Sequence, residues 1–249
     1  MSIESQVSQT QKSTVQIQGQ VMTADKAIKR FVPSLTQIDK SIHIITEGVQ
    51  STAKRVDTLI DQSETIVQIV VPMGGGDVDQ TKLIDHIKDL AGQISAEFEA
   101  AVDSGWITMD DLFDTHYVPV PETNPQQHTA KFNRLTDRIL PSIQEPALEF
   151  DGRIVFCAAV DRNGYLPTHN VKFSKRQGPD PAWNSANCRS RRIFNDRVGL
   201  RAGLNEEPFL LQVYRREMGG GKFVMMHDLS APITVRGRHW GGLRMGIGF

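Results

Sequence analysis

The sequence predicts an α+β protein in which a long helical coiled coil leads into an antiparallel sheet of about five short strands with packed helices. Three observations carry this: an unbroken heptad pattern over the first seventy residues, an interruption at Val71-Pro72-Met73-Gly74-Gly75-Gly76, and strand-like runs separated by glycine turns after residue 150.

With Val7 as position a, Val21, Ile28, Leu35, Ile42, Val49 and Val56 fall at a, and Ile17, Phe31, Ile38, Ile45, Leu59 and Ile66 at d. Of the 20 a and d positions between Ile3 and Val70, 16 are apolar, and the phase never slips. A stripe this narrow suits a coiled-coil seam better than a broad globular core. β-Branched residues dominate a, which favours two parallel strands. Residues 1–71 are therefore expected to form a helical segment that makes the chain a homodimer or, since Ile at several d positions blurs the choice of two strands, a larger bundle. Pro33, at the outward f position, is expected to kink or break the helix between residues 30 and 34. The alternative is two amphipathic helices folding back on each other; a reversal would ordinarily consume residues out of register, and the phase here is continuous.

The glycine run ends that helix, and a second domain is expected over 77–249. Asp79 is placed to cap a helix running to about Ser104, with Leu83, Ile84, Ile87, Leu90, Ile94, Phe98 and Val102 on one face. A short helix is expected between Trp106 and Tyr117, a proline-rich ordered loop over Val118 to Pro125, and a third helix over about Gln127 to Ile143.

Ile154 to Val160 is a β-branched, apolar run followed at once by Asn163-Gly164, which predicts a tight hairpin onto the Tyr165 strand. Phe209 to Tyr214 and Phe223 to Met226 flank Gly219-Gly220-Gly221, a second hairpin, and Thr234-Val235 and Leu243 to Ile247 add segments around Arg236-Gly237.

The phrases Val155 to Asn170, Cys188 to Phe194, Asp196 to Leu200, Met218 to Gly221 and Ser230 to Ile233, taken together, resemble the C-terminal sensory domain of many bacterial methyl-accepting chemotaxis proteins, whose ligand-binding part has a Cache or PAS-like fold. The resemblance covers about residues 150–249 and is looser over 77–150. It implies a sensor without catalysis, built as a sheet with helices on one face, whose ligand is not specified. One departure matters. The chemoreceptors carry a long antiparallel signalling hairpin whose tip contacts the kinase and adaptor, and seventy heptad residues are too few for it.

The 28 basic and 29 acidic residues nearly cancel, so net charge gives no case for nucleic acid. No apolar stretch is long enough to cross a membrane, and Met1 to Gln6 lack the regions of a secretion signal, so a cytoplasmic chain without membrane insertion is expected. Cys157, in an apolar strand, reads as structural, and Cys188 as lying in a polar loop.

Lys172 to Glu207 reads as a long polar loop rich in arginine, including Arg189 and Arg191. Arginine suits planar recognition of carboxylate or phosphate, so a small anionic ligand is the sharp expectation. The alternative is that these arginines are solvated or pair with nearby acids. His169, Tyr214 and Arg216, the last two on a central strand, are the first candidates for ligand contact, with Arg189, Arg191 and His227 beside them. Tyr165 and Trp240 read as core aromatics. No phosphate loop, nucleophile elbow or zinc-helix motif is present, and Met218 to Gly221 is a turn, so neither an enzyme nor a metal site is expected. No haem-attachment motif occurs, and any cofactor, including a noncovalent haem or flavin, is left open. Two functions follow as expectations. One is a sensor that relays ligand binding through Met73 to Asp79 into the coiled coil and pairs with chemoreceptors or other chemotaxis proteins. The other is a non-enzymatic adaptor whose C-terminal domain binds a protein.

Overall fold

The computed structural model describes residues 3–70, 78–217 and 223–248. The chain divides into two compact units, Met1–Asp61 and Gln62–Phe249, and the division falls inside the first helix, ahead of the glycine run. That run, like the expected relay from Met73, lies largely outside the described residues.

Helix α1 spans Ile3–Val70 and passes through Pro33 without interruption, where a break was expected. Proline removes one rung of the helical ladder, the bond its N–H would make to Lys29, at an exposed position where water can take the orphaned carbonyl. The hydroxyls of Ser34 and Thr36 donate to Arg30 O and Val32 O at 3.4 and 3.2 Å, adding polar contacts around the gap. The fold-back alternative is not what the chain forms. The seam side chains of the first unit stand open: Leu35 is 48%, Ile38 54% and Ile45 63% exposed. Among the described residues, no helix is long and apolar enough to cross a membrane.

In the second unit, α2 (Val78–Asp103) buries the expected face, with Ile87, Ile94 and Phe98 fully enclosed. Then come α3 (Met109–Leu112), capped by Thr108, and two short strands, β1 (Val118–Pro119) and β2 (His128–Thr129), which pair antiparallel in the stretch expected to be loop and helix start. Consequently α4 begins later than expected, spanning Asn133–Gln144, and α5 is Ala147–Phe150. β3 (Ile154–Asp161), β4 (Tyr165–Leu166), α6 (Pro181–Asn187), β5 (Arg192–Ile193), α7 (Arg197–Leu204), β6 (Leu210–Glu217), β7 (Phe223–Val235) and β8 (Arg238–Gly248) complete the chain.

The main sheet is antiparallel and four-stranded, in the order β3-β8-β7-β6. It has fewer and longer strands than the sequence suggested. Thr234-Val235 is no separate strand but the end of the 13-residue β7, which turns into β8 through Arg236 and Gly237, both at positive φ as a two-residue hairpin requires. The Asn163-Gly164 turn forms, with Gly164 N donating to Asp161 O, but its arms do not pair as a hairpin. Gly164 O instead accepts from Phe194 N at 2.7 Å, and β4 pairs with β5. The N–H groups of Cys157 and Ala159, on β3, donate to the side-chain oxygens of Asn170 and Gln144, each at 2.8 Å.

Alternation sorts the sheet into two faces. Cys157, Ala159, Leu229, Ala231, Leu243 and Met245 join α2 and α4 in the larger core. Trp240 and Tyr165 are buried there with partners, Trp240 Nε1 donating to Leu112 O at 2.9 Å and Tyr165 Oη to His128 O at 2.9 Å. Phe156, Ala158, Val160, Leu166 and Met226 form a smaller core on the other face. Over that face lies Lys172 to Glu207, which is not the open loop expected. It holds a single 3-10 turn (Val171–Phe173), α6, β5 and α7. Asp180 caps α6 by accepting from Ala182 N, and Asp196 caps α7 by accepting from Val198 N and Gly199 N. Helix α7 comes close to the sheet because position 242 is glycine: a Cβ there would stand 2.3 Å from Ala202 O. Cys188 closes α6 and is buried, contrary to its expected polar surroundings.

Candidate functional site

Between the sheet and this covering segment is a cavity of about 410 Å³, whose lining includes Phe156, Leu166, His169, Arg189, Phe194, Val198, Tyr214, Arg216 and Arg244. Its floor follows from strand alternation. Tyr214 and Arg216 are two apart on β6 and so share a face, and the register Tyr214↔Met226, Gln212↔Asp228 and Ser230↔Arg244 carries that face across β7 to β8. β6 is an edge strand, not the central strand expected for Tyr214 and Arg216. The roof brings His169 from the segment after β4, Phe173 from the 3-10 turn, and Arg189, Arg192 and Phe194 from the segment around β5.

Five arginines line the cavity, Arg189, Arg192, Arg197, Arg216 and Arg244. Among the described residues, the carboxylates at hand are Asp196, already occupied as a helix cap, and Asp228 beneath the floor. Arg244 is satisfied: its Nε and Nη2 donate to Asp228 Oδ2 at 3.1 and 2.8 Å in a fully buried pair. Burial lowers and the Asp228 carboxylate raises the pKa of Arg244, with a net upward result, so the guanidinium stays charged, while burial raises the pKa of Asp228 against the charge and hydrogen bonds of Arg244.

Arg216 is different. It is only 3% exposed, and its guanidinium carbon stands 5.0 Å from the ring centre of Phe156 and 4.6 Å from that of Phe173. Aromatic faces attract it, yet its Nε and Nη1 are buried without a hydrogen-bond partner among the described residues. Burial lowers its pKa, Tyr214 opposes the shift and Arg244 adds to it. Arg189 repeats the pattern over Phe194, at 4.8 Å, with its Nε unpartnered and one Nη donating to Ser185 O at 3.3 Å. Burial, and then the charges of Arg216 and Arg192, pull its pKa down to about 9.

His169 accepts from Asn170 N at Nδ1, 2.8 Å, which leaves the proton on Nε2. Burial, followed by Arg189, Arg216 and Arg244, holds its pKa well below the usual value, so the ring is a neutral donor. Burial, then Asp228, pushes Tyr214 up to about 12, so it too remains protonated. The cavity thus offers neutral and cationic donors, and buried nitrogens of Arg216 and Arg189 have no hydrogen-bond partner among the described residues.

Of the residues singled out in the sequence, His169, Tyr214, Arg216 and Arg189 meet here. Arg191 does not. At a φ of +68° it turns away to pair with Asp137 of α4, while its N–H donates to Leu166 O and its carbonyl accepts from His128 N. It pins the roof to its surroundings. His227 also lies elsewhere, on the opposite face of the sheet, beside an apolar cavity of about 250 Å³ lined by Leu83, Ile84, Leu211, Leu229 and Ile247. Sequence reasoning missed the aromatic supports Phe156, Phe173 and Phe194, and the Arg244–Asp228 pair. The pair had a signal: Arg244 interrupts Leu243, Met245 and Ile247 with the alternation of a strand whose second face is polar.

No protein-family model matches the chain, and no curated protein matches it.

Proposed function

We propose that this chain is a non-enzymatic sensory and signal-transduction protein related to the methyl-accepting chemotaxis proteins. Its C-terminal unit would be a Cache or PAS-like domain that takes a small anion into the cavity over β6 and β8 and relays occupancy to a homodimeric coiled coil formed by α1. The observation that supports binding is the cluster of buried Arg216 and His169 with partly buried Arg189, in which each arginine has a buried guanidinium nitrogen without a hydrogen-bond partner among the described residues. Unpaired buried charge is costly, and an anion is the ligand that offsets it. Support for the coiled coil comes from the regular heptad on a helix whose seam is about half exposed or more at Val21, Leu35 and Ile45.

A thermal-shift screen of small carboxylates and phosphates on the whole chain tests the ligand reading. Stabilisation by anions that is lost in Arg216→Ala is expected. Indifference to every anion in the wild type would move the chain to the adaptor reading.

A further inference from the structure

Resting on the anion-binding reading, we infer that the ligand is a short dicarboxylate, with one carboxylate on Arg216, the other on Arg189, and its hydrocarbon spacer against Phe156, Leu166 and Val198.

Two unsatisfied donor groups, not one, face the cavity, and they belong to different walls. Arg216 rises from β6 on the floor and leans on Phe156 and Phe173. Arg189 descends from the segment between α6 and β5 and leans on Phe194. Each is therefore held by its own aromatic support, and each keeps a buried Nε with no acceptor among the described residues. Arg244, the other buried arginine of the cavity, is withdrawn from competition by its paired bonds to Asp228. A planar guanidinium matches a planar carboxylate, and two of them on opposite walls match two carboxylates.

Part of the cavity wall is apolar, beside polar groups such as Ser185 and Tyr214. Phe156, Leu166 and Val198 are 5%, 2% and 5% exposed and line the same cavity. That apolar part suits the methylene groups of a spacer. Neutral His169 contributes an N–H without adding charge. A monocarboxylate would satisfy one arginine and leave the other as it is now, whereas a dicarboxylate offers each guanidinium a planar acceptor of its own. A ligand bridging floor and roof also ties the covering segment to the sheet.

The test is isothermal titration of the whole chain with propionate, succinate and inorganic phosphate at pH 7. Succinate is expected to bind at least about tenfold more tightly than propionate, the weight of one added charge-assisted contact. Arg189→Lys, which keeps the charge and loses the fork, should shrink that ratio while leaving propionate affinity nearly unchanged, and Arg216→Ala should weaken both acids. Equal affinity for propionate and succinate would overturn the dicarboxylate while leaving anion binding intact. Phosphate matching succinate, with propionate weak, would overturn it too, because the arginines would then share one group. Binding of none of the three would remove both this inference and the reading on which it rests.

Discussion

Arg216 lies with its guanidinium carbon 4.6 Å from the ring centre of Phe173, which joins an edge strand of the sheet to the turn that roofs the cavity. The contact positions a cation without neutralising it. A carboxylate in place of the ring would have completed a salt bridge and left nothing for a ligand to do.

Replacing Arg216 by a side chain of similar length without charge separates stability from binding. Arg216→Met should raise the stability of the unliganded protein by about 1 kcal/mol or more, since a buried cation without a partner gives way to apolar packing on Phe156 and Phe173. It should also abolish stabilisation by anions. Urea melts with and without succinate read both effects, and a less stable apo variant would show that Arg216 has a partner of its own.

Asp161 gives a pH prediction. Burial raises its pKa from 3.8 to about 6, against hydrogen bonds from Tyr117 Oη, Tyr165 N and Asn163 N that favour the carboxylate. A raised folded pKa means that the folded state holds the proton more tightly than the unfolded one. Its contribution to stability is therefore greatest below about pH 4 and is lost as pH rises through about 6. The size is about 2–3 kcal/mol. Asp161→Asn should remove this part of the slope, measured as the difference between the two proteins' unfolding free energies from pH 4 to 7; parallel curves would show that Asp161 ionises normally.

Two glycines should answer the same substitution with opposite signs. Gly242→Ala would push a methyl to 2.3 Å from Ala202 O, forcing α7 away from the sheet, at about 2–3 kcal/mol. Gly92→Ala, on α2 with nothing within 4 Å, should stabilise by about 0.5–1 kcal/mol. Thermal melts of the pair decide it. A tolerated Gly242→Ala would mean that the helix–sheet approach is looser than 2.3 Å implies.

For the proposed coiled coil, Ile38→Asp and Ile45→Asp together place charge at two d positions that are already exposed in the single chain. The double variant should be monomeric by light scattering where the wild type is dimeric, with the melting of the C-terminal unit unchanged. A monomeric wild type would dispose of the homodimer.

Elements with strong periodicity were legible in the sequence. The α2 face from Leu83 to Phe98 could be read because it buries one regular stripe, and the strand from Ile154 because it is a continuous apolar, β-branched run buried on both faces. Pairing was not legible: nothing near Asn163-Gly164 says that Phe194, thirty residues on, takes the carbonyl that a hairpin would have used. Helices α6 and α7 were overlooked because each is short, although Asp180-Pro181 and Asp196 are ordinary start signals. At the site, residue chemistry picked out Arg216 and His169, but their orientation depends on strand register and on rings contributed from distant segments. Arg191 shows the limit, since its composition matches Arg189 while its backbone points it at Asp137.

The amide side chains of Asn170 and Gln144 occupy the rim of the sheet where a fifth strand would have bonded to Cys157 and Ala159. Because a side chain can match a backbone donor but cannot offer the next strand a ladder, the sheet cannot be extended past these two rungs. An incoming extended peptide, or a second copy of the domain seeking edge-to-edge growth, is left with β6 as its point of attachment on this sheet. That is the strand that carries Tyr214 and Arg216, so any such docking would be felt directly in the floor of the cavity.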